Sequence, residues 1–149
     1  MRLLGSTLTL AVVALASAAA AFAAPTPGSY RAQANAVCLK RGDQLSATDQ
    51  PTGSAEAHPA KTYAEEYAID VRAYEQLYKL DPPPSLLAPH RLALQALWRA
   101  LVQFRKIILL PGGGAAKTPA TRAAWMKYVM LYSQVSAAWK ALGVEACEA

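Results

Sequence analysis

Few side chains in this sequence have the type and spacing that chemistry needs. His58 and His90 have no His, Cys, Asp or Glu at the three- or four-residue steps that set two zinc ligands on one helical face. Both are expected to be solvated. Met126 and Met130 stand one helical turn apart, and thioethers are soft ligands for copper(I). Methionines at that spacing more often fill irregular gaps in packing, so core or boundary packing is the expectation. Glu66 and Asp70 are four apart. Paired carboxylates do acid–base work or hold a metal when one is buried or both converge on a cleft. The Glu-x-x-His pairs of a di-iron bundle are missing, and the two are expected to be surface charges. No serine sits in Gly-x-Ser-x-Gly, and Gly112-Gly113-Gly114 is not followed by the Lys-Ser/Thr of a phosphate loop. No catalytic residue, metal or cofactor is expected.

Two other groups of residues point to binding. Tyr63, Tyr67, Tyr74 and Tyr78 recur at helical steps, and Trp98, Trp125 and Trp139 lie on later segments. Such rings can enclose an apolar or aromatic ligand, with hydroxyls orienting it. Tyr63, Tyr67, Tyr74, Tyr78, Trp98 and Trp125 are the candidate pocket, although rings filling the core is the simpler expectation. The second group is charged. From Pro82 to Val144 there is no Asp or Glu, yet Arg91, Arg99, Arg105, Lys106, Lys117, Arg122, Lys127 and Lys140 all fall there. A basic surface could meet anionic lipid headgroups or acidic envelope polymers. The helical positions scatter, so binding to anionic vesicles is expected to be weak and lost by ~0.15 M salt. Aromatic residues on the buried stripes leave no platform for single-stranded nucleic acid.

The elements that must position these residues are helices. Ser29–Ala47 places Tyr30, Ala34, Val37, Cys38, Arg41 and Leu45 on one face. Residues 46–60, rich in Ser, Thr, Gly and Pro, predict a long mobile loop. A second helix follows over Lys61–Leu80, with Thr62 able to cap it. Asp81-Pro82-Pro83-Pro84 stops it, since proline cannot continue a helix. A third begins at Ser85 or Pro89 and runs to Leu110, with Leu87, Leu94, Leu97, Trp98, Leu101, Phe104 and Ile108 as its buried stripe. The fourth starts at Thr118-Pro119 and carries Trp125, Tyr128, Tyr132, Val135, Trp139 and Leu142 at alternating steps of three and four. Gly143 then ends it in the left-handed conformation. The fold class is all-α, packed as an antiparallel up-down four-helix bundle.

The N-terminus has the layout of a secretory signal peptide: Met1-Arg2, an apolar run from Leu3, and a small-x-small site at Ala21-Phe22-Ala23. Residues 1–23 are therefore expected to be removed, leaving 24–149 as one domain in the periplasm, envelope or medium. No integral membrane span is expected after cleavage. Both cysteines, Cys38 and Cys147, fall in the exported part, which favours a disulfide over a metal site. In an antiparallel bundle the first helix begins where the last one ends, and the four steps from Gly143 to Cys147 span up to ~13 Å. The tail can fold back to Cys38.

Asn35-Ala36-Val37-Cys38, Leu80-Asp81-Pro82-Pro83 and Leu142-Gly143-Val144-Glu145-Ala146-Cys147 occur in that order. In this the chain resembles a loose group of small, uncharacterised exported helical proteins of bacteria. The shared features are a cysteine pair, a mid-chain Leu-x-Pro-Pro turn and a C-terminal Leu-Gly-x-x-x-Cys. The resemblance implies the bundle and the disulfide and carries no activity. The expectation is a non-enzymatic secreted or envelope-associated module that binds or scaffolds a partner, such as an envelope component and not nucleic acid. The alternative is a carrier of a small apolar or aromatic ligand in an interhelical pocket.

Overall fold

A computed structural model describes residues 24–48, 59–115 and 118–148. The expected leader at 1–23, residues 49–58 of the expected loop with His58, and Lys117 of the basic stretch lie outside the described residues. The fold is all-α: α1 is Pro27–Thr48, α2 Pro59–Tyr78, α3 Leu87–Ile108 and α4 Pro119–Leu142. Short 3-10 turns at Pro84–Leu86, Pro111–Gly114 and Glu145–Cys147 complete it, with no strand among the described residues.

Local chemistry sets the helix ends. Thr26 and Ser29 bond reciprocally at the start of α1: Ser29 N donates to Thr26 Oγ1 at 3.1 Å and Thr26 N to Ser29 Oγ at 2.9 Å. This is a capping box with serine in the acidic position, and it starts α1 at Pro27, two residues before the expected Ser29. Likewise α2 starts at Pro59, so Thr62 lies inside the helix and does not cap it. The run of three prolines at Pro82–Pro84 follows the end of α2 at Tyr78, and α3 becomes regular at Leu87 after the 3-10 turn. Thr118 caps α4 by accepting from Thr121 N at 3.1 Å, with Pro119 at the first position. Gly143 has φ 70°, and Val144 N bonds back to Trp139 O while Gly143 N bonds to Lys140 O. Those two bonds form the Schellman stop, and Val144 is the buried residue that completes it.

Contacts between helices fit the antiparallel order. Tyr63, near the start of α2, packs on Phe104 near the end of α3 and on Trp125 near the start of α4. At the other end Tyr30 of α1 meets His90 of α3, and Arg31 meets Leu142 O of α4. The core between them holds Tyr30, Leu77, Leu101, Ile107, Trp139, Leu142 and Val144, all essentially removed from solvent.

The disulfide joins Cys38 to Cys147 with a Cα–Cα distance of 5.2 Å. Three α1 residues on one face hold the tail in place. Arg31 Nε donates to Leu142 O at 2.7 Å, where the carbonyls at the end of α4 lack helical partners. Asn35 Oδ1 accepts from Ala146 N at 2.9 Å, and Cys38 makes the covalent link. The tail reaches α1 as expected, and the Arg31 and Asn35 hydrogen bonds hold it beside the disulfide.

Two polar residues expected at the surface belong to the interior. Asp70 is buried and pairs with Arg41 Nε at 2.6 Å. Arg41 Nη2 also donates to Tyr132 Oη at 2.9 Å, so the knot joins α1, α2 and α4. Burial pushes the Asp70 carboxyl above its ordinary range, and Arg41 pulls partly back. His90 is buried as well, because it lies on the core face of α3 one step from Ala93 and Leu94. Its expected solvation is thus corrected.

Candidate binding surface

The buried face of α3 takes His90, Ala93, Leu94, Leu97, Ala100, Leu101, Gln103, Phe104 and Ile107. What remains outward is unusual. Leu87, Arg91, Trp98, Val102, Arg105 and Leu109 follow one another at steps of three, four or seven residues, and every one is exposed. Leu92, Arg99 and Lys106 form a second row at seven-residue steps on its flank. Leu92 is 64% exposed, Trp98 48% and Leu109 74%. The outward face of α3 therefore mixes large apolar side chains with cations, and it carries no acid.

This face continues into grooves on both sides of Trp98. Between α2 and α3 lies an open groove of about 710 Å³, walled by Tyr74, Tyr78, Leu87, Leu92 and Trp98 with Arg91 at its edge. Tyr74 packs on Trp98 and on Tyr78, with ring centroids 5.3 and 6.2 Å apart. Burial, and then the neighbouring Tyr78, raises the Tyr74 pKa. Between α3 and α4 a groove of about 390 Å³ is lined by Trp98, Val102 and Leu131, with Arg99, Lys106 and Lys127 around it. Gln103 Nε2 donates to Ala124 O at 3.0 Å and ties the two helices together beneath it.

The structure divides the candidate tyrosine–tryptophan pocket into two places. Tyr74, Tyr78 and Trp98 line the α2–α3 groove. Tyr63 and Trp125 border a separate depression of about 310 Å³ beside Gly114 and Thr118. Tyr67 lines neither and packs edge-on against Phe104. Trp139 belongs to the core beside His90, with its indole Nε1 unpartnered among the described residues. Space near the disulfide, walled by Cys38, Asp70 and Trp139 among others, is only about 20 Å³.

Three further expectations change. Leu87 and Trp98 leave the buried stripe of α3, since they sit three turns apart on the far side from Ala93 and Ala100. Met126 and Met130 are exposed on α4, together with Val129, and do not pack the core. The cations of α4 do scatter, but those of α3 share its outward face. Sequence reasoning found the acid-free stretch and missed that the exposed leucines and Trp98 lie among its charges. The seven-residue step Leu92, Arg99, Lys106 was the available signal.

The buried ionisable residues are turned to structural use. Tyr30 Oη lies 2.6 Å from His90 Nδ1. Burial, and then Arg91 nearby, lowers the His90 pKa, and burial pushes Tyr30 up to about 12. Asp70 is committed to Arg41, while Glu66 is half-buried near Tyr128. Comparison with family models, curated proteins and solved structures found no match.

Proposed function

We propose that this chain is an exported, non-enzymatic helical module that docks an envelope component through the outward face of α3. The observation that carries this reading is the exposure of Leu92, Trp98 and Leu109 among Arg91, Arg99, Arg105 and Lys106. Apolar side chains exposed together beside charges mark interaction surfaces more than scattered ones do. The non-enzymatic reading is supported by how the polar residues are spent, with Asp70 and His90 bonded inside the core and away from the grooves. Export is supported by the disulfide and by the leader-like N-terminus, in keeping with the resemblance to exported helical proteins. No described helix is long and apolar enough to cross a membrane. Export predicts an intact mass that begins near Ala24; a mass retaining residues 1–23 would make the leader an anchor.

A second reading, a carrier for a small apolar or aromatic ligand, rests on the groove of Tyr74, Tyr78 and Trp98. Native mass spectrometry of protein recovered from its own host separates the two. The docking reading expects the bare polypeptide mass after gentle desolvation. A stoichiometric adduct with a mass other than that of a phospholipid, lost on Trp98→Ala, would favour the carrier.

A further inference from the structure

Resting on that docking reading, we propose that the partner is the surface of an anionic phospholipid bilayer, on which α3 lies lengthwise. The helix has 22 residues, or ~33 Å at 1.5 Å each. Along that length the outward face carries Arg91, Arg99, Arg105 and Lys106, and no acid occurs anywhere from Pro82 to Val144. Charge complementarity therefore selects an anionic partner.

The apolar residues choose among anionic partners. An acidic polysaccharide answers the cations but offers nothing to Leu92 or Leu109, at 64% and 74% exposure. An acidic protein helix could answer both, yet protein interfaces gather their anchors into a central, fully desolvated pocket. Here Leu87, Leu92 and Trp98 wall an open groove and not a closed pocket, and Val102 and Leu109 carry the apolar row past it, with cations interleaved along the whole helix. A bilayer accepts that pattern. Leucines enter the acyl boundary, a tryptophan settles at headgroup depth, and arginine and lysine extend to the phosphates. Lys127, on the α3–α4 groove, adds one more cation to the same side.

The test is vesicle flotation of the purified, disulfide-bonded protein. It should float with vesicles rich in phosphatidylglycerol and stay at the bottom with pure phosphatidylcholine. In place of the loss by ~0.15 M salt expected of scattered cations, added salt should weaken binding without abolishing it, because the cations of α3 share a face with apolar contacts that salt does not screen. Arg99→Gln with Lys106→Gln should reduce partitioning by about tenfold or more, two interfacial cations being lost. Bromine on the acyl chains should quench tryptophan emission in the parent and much less in Trp98→Phe, since Trp139 is fully buried and Trp125 packs on Tyr63, Phe104 and Tyr128, off the outward face of α3. Trp98 is itself half exposed, so unchanged helicity and melting are expected and confirm that the variant is folded. No flotation in low salt, or flotation indifferent to the Arg99 and Lys106 changes, overturns the proposal. A photo-crosslinker at Gln95, exposed on the same face, separates this failure from that of the docking reading. Protein adducts from Gln95 in host cells without vesicle binding would move the partner to a protein and keep the face. A dimer crosslinked through Gln95 would make a second copy the occupant and overturn the lipid assignment. Silence in both experiments would remove the docking reading too.

Discussion

Tyr30 and His90, sixty residues apart, meet in the core with Oη and Nδ1 at 2.6 Å. With the imidazole neutral and its proton on Nε2, the tyrosine hydroxyl donates to Nδ1. The contact ties the first turn of α1 to the start of α3, beside Trp139. His90 is therefore a structural acceptor.

Its titration gives a sign that can be measured. Burial, then Arg91, lowers the folded pKa below the unfolded value of 6.5. In the window between the two the unfolded chain binds more protons, so stability is fully present above 6.5 and falls as pH drops toward the folded pKa. Denaturant midpoints taken across that window should decline in the parent. In His90→Asn, where the side-chain oxygen can stand in for Nδ1, the midpoint should stay level. A parent midpoint that rises on acidification through the same window would contradict the burial of a neutral imidazole.

The Arg41–Asp70 pair predicts strong non-additivity. Removing one partner leaves a buried charge, so Arg41→Met or Asp70→Leu alone should cost about 3–5 kcal/mol. The double substitution should recover much of that loss, because similarly sized apolar groups replace both charges. Urea unfolding of the two singles and the double checks this. Additive losses would mean that the ion pair is not coupled in the folded protein.

The tryptophans should rank by burial. Trp139 is fully buried, and Trp139→Ala should lose about 3–5 kcal/mol. Trp125 is half-buried but bonds Gly114 O at 3.1 Å and packs on Tyr63, Phe104 and Tyr128. Trp125→Ala should fall between Trp139→Ala and Trp98→Ala, with Trp98→Ala staying near about 1 kcal/mol or less. Thermal denaturation of the three variants gives the order, and an equal loss at Trp98 would show that the outward face is structural.

Cys38→Ser with Cys147→Ser should keep its helicity and lose about 4–5 kcal/mol, as the chain-entropy account gives for closing a loop of roughly a hundred residues. Calorimetry of both forms measures it. Arg31 and Asn35 hold the tail by hydrogen bonds that survive the change, so the C-terminal turn should still form. An unchanged melting temperature would contradict the stapling role.

What the sequence discloses depends on whether a feature is local. Thr118-Pro119 and Gly143 act within their own turn, Thr118 through its side-chain hydroxyl on Thr121 N and Gly143 through its backbone, and each sets a helix end where periodicity places it. The disulfide needs only the alternation of helix directions and the length of the tail. Periodicity also finds the stripe of α4, because Val135, Trp139 and Leu142 are apolar on a face whose neighbours are not. It fails on α3, where apolar residues occur all round. Leu87 and Trp98 match Leu94 and Leu97 in type, and only the positions of α2 and α4 decide which of them is covered. The same holds for Asp70 and His90. Their partners, Arg41 and Tyr30, lie on another helix, at a distance no spacing rule reads. The proposed docking face escaped for a related reason, since an exposed leucine becomes informative only after burial separates it from the core leucines.

Site-specific crosslinking in host cells probes the proposed working surface, the outward face of α3, in place. A photoreactive residue replaces Gln95 on α3 or, as the comparison, exposed Ala137 on α4. Abundant adducts are expected from position 95, reduced by Arg99→Gln with Lys106→Gln, and few from position 137. Adducts from position 137 with silence at position 95 would contradict it.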